Sequence, residues 1–121
     1  MAIRESGENY LETILILQSK QSKVRAVDIA NELGYAKPSV SRAMNILKNA
    51  GYIEIESNGN ILLTESGKKK ANEILIRHKI ITKFLVKTLG VDVESADKDA
   101  CRIEHVISEG IFEKMKNFVE S

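Results

Sequence analysis

A cysteine, a glutamate and a histidine stand close together in the segment DACRIEHVIS, which covers residues 99–108. In a helix, residues three and four positions apart share one face, so Cys101, Glu104 and His105 would point the same way. They would offer a thiolate, a carboxylate and an imidazole. This mixture suits a first-row divalent transition ion better than the all-oxygen sites of calcium or magnesium. The spacing therefore indicates a metal site that needs further ligands from elsewhere in the chain.

Candidates for those further ligands are few. His78 is the only other histidine, and Asn9 and Glu12 would share a face of the first predicted helix. The alternative is structural, because a lone cysteine is often a small core residue and a Glu-His pair is often on the surface. Both interpretations stay open on spacing alone.

Composition places the chain among soluble globular proteins. Of its 121 residues, 43% are hydrophobic and 29% are charged, which is a balance that supports a packed core. A single cysteine excludes an intrachain disulfide framework. No run of apolar residues is long enough to cross a membrane, and MAIRESGENY lacks the apolar stretch of a secretory signal. We therefore expect a cytoplasmic protein.

The charges are unevenly distributed along the chain. Residues 20–83 carry twelve Lys or Arg against six Asp or Glu, whereas residues 84–121 carry five against eight. A basic middle region indicates contact with an anionic partner, although chance variation on solvated faces would look the same.

Turn signals in the middle of the chain predict a winged helix-turn-helix. A short helix would end at Gly34, and a second would open around Pro38 and end at Gly51. Two alternating runs then flank Asn58-Gly59, which is a strong hairpin signal. We thus predict a mainly α fold, with a winged helix-turn-helix DNA-binding domain over residues 1–70.

The other predicted elements are helices. The first covers residues 5–18, a long one begins at TESG (residues 64–67) and ends at Gly90, and two more cover residues 92–107 and 109–119. Their apolar residues exceed what one small winged helix needs, so we predict a self-associating surface in a helical domain over residues 71–121.

The second helix of the helix-turn-helix would read DNA. The side chain of Arg42 can donate a bidentate pair to guanine in the major groove, and Ala36 and Pro38 can meet a thymine methyl. Phosphates would be bound by basic side chains, which fix register without reading sequence. The predicted DNA-contacting residues are Arg25, Ala36, Lys37, Pro38, Ser39, Ser41, Arg42, Asn45, Lys48 and Asn58. The alternatives are a solvated helix face or a winged helix that binds protein.

Two enzymatic interpretations of the Cys-Glu-His segment are less satisfactory. His105 could act as a base for a nucleophilic Cys101, or Glu104 could act as a base beside a metal ion. Neither explains the predicted winged helix.

The order of winged helix, long helix and ACRIEHVIS helix resembles that of the diphtheria toxin repressor and manganese transport regulator family. The resemblance covers essentially the whole chain and is strongest in ENYLETIL, ELGYAKPSVSRAMNILKNAGYI, LTESGKK, IRHKII and DACRIEHVIS. It implies a metal-dependent transcriptional repressor. Such repressors are homodimers that bind a palindromic operator and repress metal-uptake genes when metal is plentiful. The resemblance also implies a two-domain form without an SH3-like third domain.

The resemblance also implies a ligand set. His78 matches a histidine ligand on the long helix, and Glu104 and His105 match a Glu-His pair found in both branches of the family. Cys101 matches the cysteine of the iron branch. Glu12 matches a glutamate ligand of the manganese branch.

Three positions depart from the family pattern. Asn9 stands where the iron branch has methionine and the manganese branch has aspartate. Thr82 replaces a glutamate of the iron branch, and Asp97 replaces a histidine. We therefore expect a mixed ligand set for Fe²⁺ or Mn²⁺, able to take Zn²⁺, Co²⁺ or Ni²⁺ in vitro. The rivals are a metal-independent winged-helix regulator with a structural or redox-sensitive Cys101, and a metalloenzyme.

Overall fold

The computed structural model describes the backbone of residues 5–121 and the side chains from Gly7 onward. Within this range the elements are α1 (Glu5–Lys20), α2 (Ala26–Leu33), α3 (Lys37–Asn49), β1 (Ile53–Ile55), β2 (Ile61–Leu63), α4 (Glu65–Leu89), α5 (Val93–Val106) and α6 (Glu109–Glu120). The predicted mainly α fold with a small wing is confirmed. The chain forms two compact units, one ending at Asn72 and one covering Glu73–Ser121.

A helix-turn-helix lies at the centre of the first unit, where α2 packs against α3. Gly34 ends α2 in the left-handed region at φ 71°, and its N–H donates to the carbonyl of Ala30. Only glycine adopts that conformation at little cost, so the tight turn depends on it. Pro38 lies in the first turn of α3, where its missing N–H leaves no bond unmade.

The wing is a short antiparallel hairpin. Ile53 pairs with Leu63 and Ile55 with Ile61. Gly59 turns the chain at φ 88°, and the side chain of Asn58 accepts a hydrogen bond of 2.9 Å from the N–H of Asn60. The Asn-Gly pair therefore supplies both the backbone freedom and the local bond that the turn needs.

Asn60 joins the wing to the segment before α2. Its buried side chain accepts from the N–H of Val24 at 2.9 Å and donates to Glu56 at 2.8 Å. The N–H of Ile61 also donates to the carbonyl of Val24 at 2.7 Å. These bonds hold the start of the helix-turn-helix and the wing in one structure.

The core of the first unit is aliphatic, as the low aromatic content predicts. Its most deeply buried side chains come from α1, the segment before α2, the helix-turn-helix and both strands. They include Leu11, Ile14, Val24, Ile29, Val40, Met44, Leu47, Ile53 and Ile61. Each such burial contributes about 1.5–3 kcal/mol before conformational entropy is counted.

The start of α4 is bonded to the end of α3. Thr64 accepts a hydrogen bond from the N–H of Gly67 at 3.1 Å and donates to the carbonyl of Gly51 at 2.7 Å. Ser66 donates to the same carbonyl at 3.0 Å. A side chain at Gly67 would overlap the backbone oxygen of Tyr52, so this helical position requires glycine.

The second unit consists of the remainder of α4 with α5 and α6. Asp92 caps α5 by accepting from the N–H of Ser95 at 2.9 Å, and Ser108 caps α6 by accepting from the N–H of Ile111 at 3.3 Å. The core centres on Ile81, Ala100 and Phe112, with partly buried aliphatic side chains around them. Between residues 5 and 121, no helix has the length and apolar character needed to cross a membrane.

Large apolar side chains remain exposed on this unit. They are Ile76, Leu89, Val91, Val93, Val106, Ile111 and Phe118. These side chains are available for the predicted self-associating surface.

Candidate metal centre and nucleic-acid interface

The helix α5 brings together the three residues of the opening segment. The Sγ of Cys101, a carboxylate oxygen of Glu104 and a ring nitrogen of His105 lie within 4.8 Å of one another. Glu104 is fully buried, the His105 side chain is only 7% exposed, and Cys101 is half-buried. A thiol, a carboxylate and an imidazole held this closely, away from bulk water, form a donor set that fits a first-row transition ion.

Glu104 lies between two histidines. Its Oε2 is 2.8 Å from Nδ1 of His78, and its Oε1 is 3.2 Å from Nε2 of His105. The other ring nitrogen of His78, Nε2, is 2.6 Å from Oδ1 of Asp97. The structure thus places His78 beside Glu104, with Asp97 on the other side of its ring.

The charges around His78 shift its protonation. The hydrogen bond with Glu104 raises the pKa of His78, and Asp97 raises it further by a smaller amount. Together they outweigh the opposing effect of burial and bring the pKa from 6.5 to about 9. Metal-free His78 is therefore an imidazolium at neutral pH. Any metal bound through this ring must displace a proton.

Arg77 supports the backbone behind the site. Its guanidinium donates to the carbonyl of Glu104 at 3.1 Å, pairs with Glu109 and lies 5.1 Å from the ring centroid of Phe112. One side chain on α4 therefore contacts the end of α5 and the start of α6. These contacts help to fix the position of Glu104.

Three further positions named by the sequence analysis lie on α1 and α4. Glu12 lies on α1 in the first unit and is only 5% exposed, and a carboxylate so buried requires polar or cationic partners. Asn9, one turn earlier, is half-buried, and its backbone carbonyl accepts a bond from Thr13. Thr82 donates to the carbonyl of His78 within α4, so its hydroxyl satisfies its own helix.

The predicted recognition helix presents its polar residues outward. Val40, Met44 and Leu47 face the core, whereas the candidate base-reading residues are all exposed: Ser39, Ser41, Arg42 and Asn45. Lys48 is also exposed. Within the described part of the chain, neither Arg42 nor Lys48 forms an ion pair, so both charges face solvent.

The start of α3 and the wing complete this surface. Ala36, Lys37 and Pro38 are exposed at the helix N-terminus, whose first turn contains no acidic residue. The positive end of the helix dipole is therefore not neutralised locally, which favours a phosphate there. Arg25 is exposed with its aliphatic stem beside the turn at Gly59, and Asn58 is exposed in that turn.

Sequence reasoning did not assign two neighbours of the candidate metal centre: it named Asp97 only as a departure from the family pattern, and it did not name Arg77. Asp97 precedes Cys101 by four positions and Glu104 by seven, so helical spacing alone could have placed it on their face. Arg77 has no comparable signal, because its contacts depend on how α4 meets the junction of α5 and α6.

Comparison with known proteins decides the family. A model for the N-terminal DNA binding domain of iron-dependent repressors matches residues 3–60, and a model for their metal binding and dimerisation domain matches residues 64–121. The chain belongs to the iron-dependent repressor family. The predicted resemblance is therefore confirmed.

Two relatives and one solved structure illustrate the similarity. An uncharacterized HTH-type transcriptional regulator of Methanocaldococcus jannaschii is 36% identical, over 96% of this chain and 94% of the relative. The transcriptional regulator MntR of Escherichia coli is 35% identical, over 97% of this chain and 75% of MntR. A manganese-dependent transcriptional repressor in complex with manganese superposes with a TM-score of 0.87 at 25% identity, over 94% of this chain. The chain spans 52% of that solved structure, and about half the length of others that it matches.

Proposed function

We propose that this protein is a cytoplasmic, homodimeric transcriptional repressor that binds palindromic operator DNA when loaded with Fe²⁺ or Mn²⁺. It would control genes of metal-ion homeostasis and would not be an enzyme. The observation that carries the proposal is the Cys101, Glu104 and His105 donor set on α5, in a chain whose first unit presents an exposed recognition helix. We assign DNA binding to residues 1–70, and metal binding and dimerisation to residues 71–121.

The proposed ligands are Cys101, Glu104, His105 and His78, with Glu12 as a further carboxylate and Asn9 as a weaker, neutral donor. A bound ion would supply the positive charge that stabilises the arrangement of the chain in which these donors lie close together. Cys101 must lose its thiol proton to bind, and His78 must give up the proton on Nδ1. Affinity for metal should therefore rise with pH.

The donor set allows both candidate metals. Thiolate sulfur from Cys101 favours iron, and also zinc or cobalt in vitro, whereas added carboxylate from Glu12 favours manganese. The family models support iron, and the structural similarity to a manganese-dependent repressor supports manganese. Metal availability in the cell can decide between ions whose affinities are similar.

In the proposed DNA complex, each exposed group of the first unit has a role. Arg42 would donate to a guanine, with Ser39, Ser41 and Asn45 beside it. Phosphates would be bound by Lys37, Lys48 and Arg25, with Asn58 at the wing tip. The dimer would place two copies of α3 in successive major grooves of a palindrome.

The test is metal-dependent DNA binding. Duplexes would be selected from a random library once with Mn²⁺ and once with chelator, and the affinity for the selected sequence measured anaerobically by fluorescence anisotropy at fixed salt. We expect a palindromic sequence and tight binding only with Mn²⁺ or Fe²⁺. Equal affinity in chelator would contradict the proposal and leave a metal-independent regulator in which Cys101 has another use.

A further inference from the structure

A short chain of three side chains crosses from the surface to the candidate metal centre. Asp97 is 61% exposed, His78 is 16% exposed and Glu104 is fully buried. The two ring nitrogens of His78 face the two carboxylates, Nε2 toward Asp97 and Nδ1 toward Glu104. The imidazole is thus bonded at both ends, and each nitrogen has a different environment.

The two nitrogens of the His78 ring have different surroundings. Nε2 is 2.6 Å from Oδ1 of Asp97, which is largely exposed. Nδ1 is 2.8 Å from Oε2 of the fully buried Glu104, whose other oxygen faces His105. Of the two nitrogens, Nδ1 is therefore the one directed at the buried donor set on α5.

We propose that Asp97 is a positioning residue for the metal centre, holding the Nε2–H of His78 so that Nδ1 faces the ion. This inference rests on the proposed metal-binding function. An imidazole that keeps a proton on Nε2 can bind metal only through Nδ1, so the carboxylate sets both the orientation and the tautomer of the ring. In this arrangement Asp97 is not a ligand of the ion.

The experiment compares Asp97→Ala and Asp97→Asn with the wild-type protein and with Asp99→Ala, a matched loss of an exposed acid two residues away on α5. Mn²⁺ affinity is measured by competition with a fluorescent chelator, and the number of ions per subunit by native mass spectrometry. Circular dichroism checks that each variant is folded. Imidazole tautomers are read from long-range ¹H–¹⁵N spectra of the diamagnetic Zn²⁺ form.

We expect Asp97→Ala to bind the same number of ions about tenfold to a hundredfold more weakly, which is typical for loss of an outer-shell carboxylate. Asp97→Asn should lose less, because its amide oxygen still accepts the Nε2–H. Asp99→Ala should match the wild-type protein. The Zn²⁺ spectra should show His78 bound through Nδ1 in the wild type, and Asp97→Ala should lose this uniform tautomer.

Three results would overturn the inference. Loss of one ion per subunit in both Asp97 variants would make Asp97 a ligand. Unchanged affinity and tautomer in Asp97→Ala would show that His78 needs no such support, and equal weakening by Asp99→Ala would show a nonspecific charge effect. A folded wild-type protein that binds neither Mn²⁺ nor Zn²⁺ would instead contradict the proposed function itself.

Discussion

At the scale of single residues, Glu104 is the centre of the candidate metal site. Each of its carboxylate oxygens faces a histidine, and its backbone carbonyl accepts from Arg77. A fully buried carboxylate is tolerated only with such compensation, and His78 provides it as a cation in the metal-free protein. The same residues can therefore form a charge pair without metal and a ligand set with it.

The first prediction concerns pH and the metal-free protein. Because the pKa of His78 is raised from 6.5 to about 9, its protonation stabilises the fold fully below pH 6.5. That contribution is lost as the pH rises toward 9. We expect the unfolding free energy of the wild type to exceed that of His78→Gln by on the order of 1–3 kcal/mol near pH 6. This is less than the free energy that corresponds to the whole pKa shift, because Asp97 is largely exposed and solvent screens its charge.

Urea unfolding in chelator, near pH 6 and near pH 10, measures this difference. The advantage of the wild type over His78→Gln should shrink at the higher pH. An advantage that is the same at both pH values would mean that the imidazolium does not contribute as the structure indicates.

The second prediction separates base reading from phosphate binding on α3. Arg42→Ala should weaken operator binding by about 1–3 kcal/mol and random-sequence binding by much less, because its guanidinium would read a guanine. Lys48→Ala is the matched control. It should weaken operator binding and random-sequence binding equally. It should also reduce the slope of log affinity against log salt concentration by about one, as loss of a phosphate contact does.

Fluorescence anisotropy over a salt series, with both kinds of duplex, gives these numbers. If Arg42→Ala weakened operator and random DNA by the same factor, Arg42 would be a phosphate contact and base reading would have to be assigned elsewhere.

At the scale of elements, turn and cap residues explain why the fold could be predicted. Gly34, Pro38 and the Asn58-Gly59 pair determine where helices and strands end through backbone geometry that only these residue types favour. The predicted helices therefore agree with the structure to within about two residues, as is usual at helix ends. The shared face of Cys101, Glu104 and His105 was also predictable, because it depends on helical periodicity alone.

Contacts between elements were not predictable in the same way. The bonds of Asn60 to Val24 and of Arg77 to Glu104 join residues 36 and 27 positions apart, respectively. No local sequence rule predicts contacts between residues so far apart in the chain, because these contacts depend on how whole elements pack. The family resemblance supplied His78 as part of the site and marked Asp97 as a replaced histidine, but it did not predict the hydrogen bond between them.

The third prediction contrasts two glycines within helices. Gly67→Ala should destabilise the protein by about 1–3 kcal/mol, because the new Cβ would overlap the backbone oxygen of Tyr52 and backbone cannot move aside cheaply. Gly110→Ala, in the first turn of α6, meets no atom within 4 Å. It should be neutral or stabilise by up to about 1 kcal/mol by restricting the unfolded chain.

Chemical unfolding followed by far-UV circular dichroism compares the two variants under identical conditions. Effects of equal sign and size would contradict the close approach of Gly67 to Tyr52, since both substitutions add the same methyl group to a helical glycine.

At the scale of the whole molecule, one continuous helix contains residues of both units. The α4 helix begins beside the Thr64 cap, next to the wing, and carries Arg77 and His78 in the second unit. Repression requires that metal bound by the second unit changes the DNA affinity of the first. Coupling of this kind is a free energy, and it must act in both directions.

The most direct test is therefore the Mn²⁺ affinity of the protein with and without saturating operator DNA. We expect operator DNA to tighten Mn²⁺ binding by the same factor by which Mn²⁺ tightens operator binding, about 5–150-fold for typical coupling. Asp99→Ala should retain the effect, and His105→Ala should lose it. A Mn²⁺ affinity that is unchanged by operator DNA would contradict metal-dependent repression, however tightly the metal and the DNA each bind.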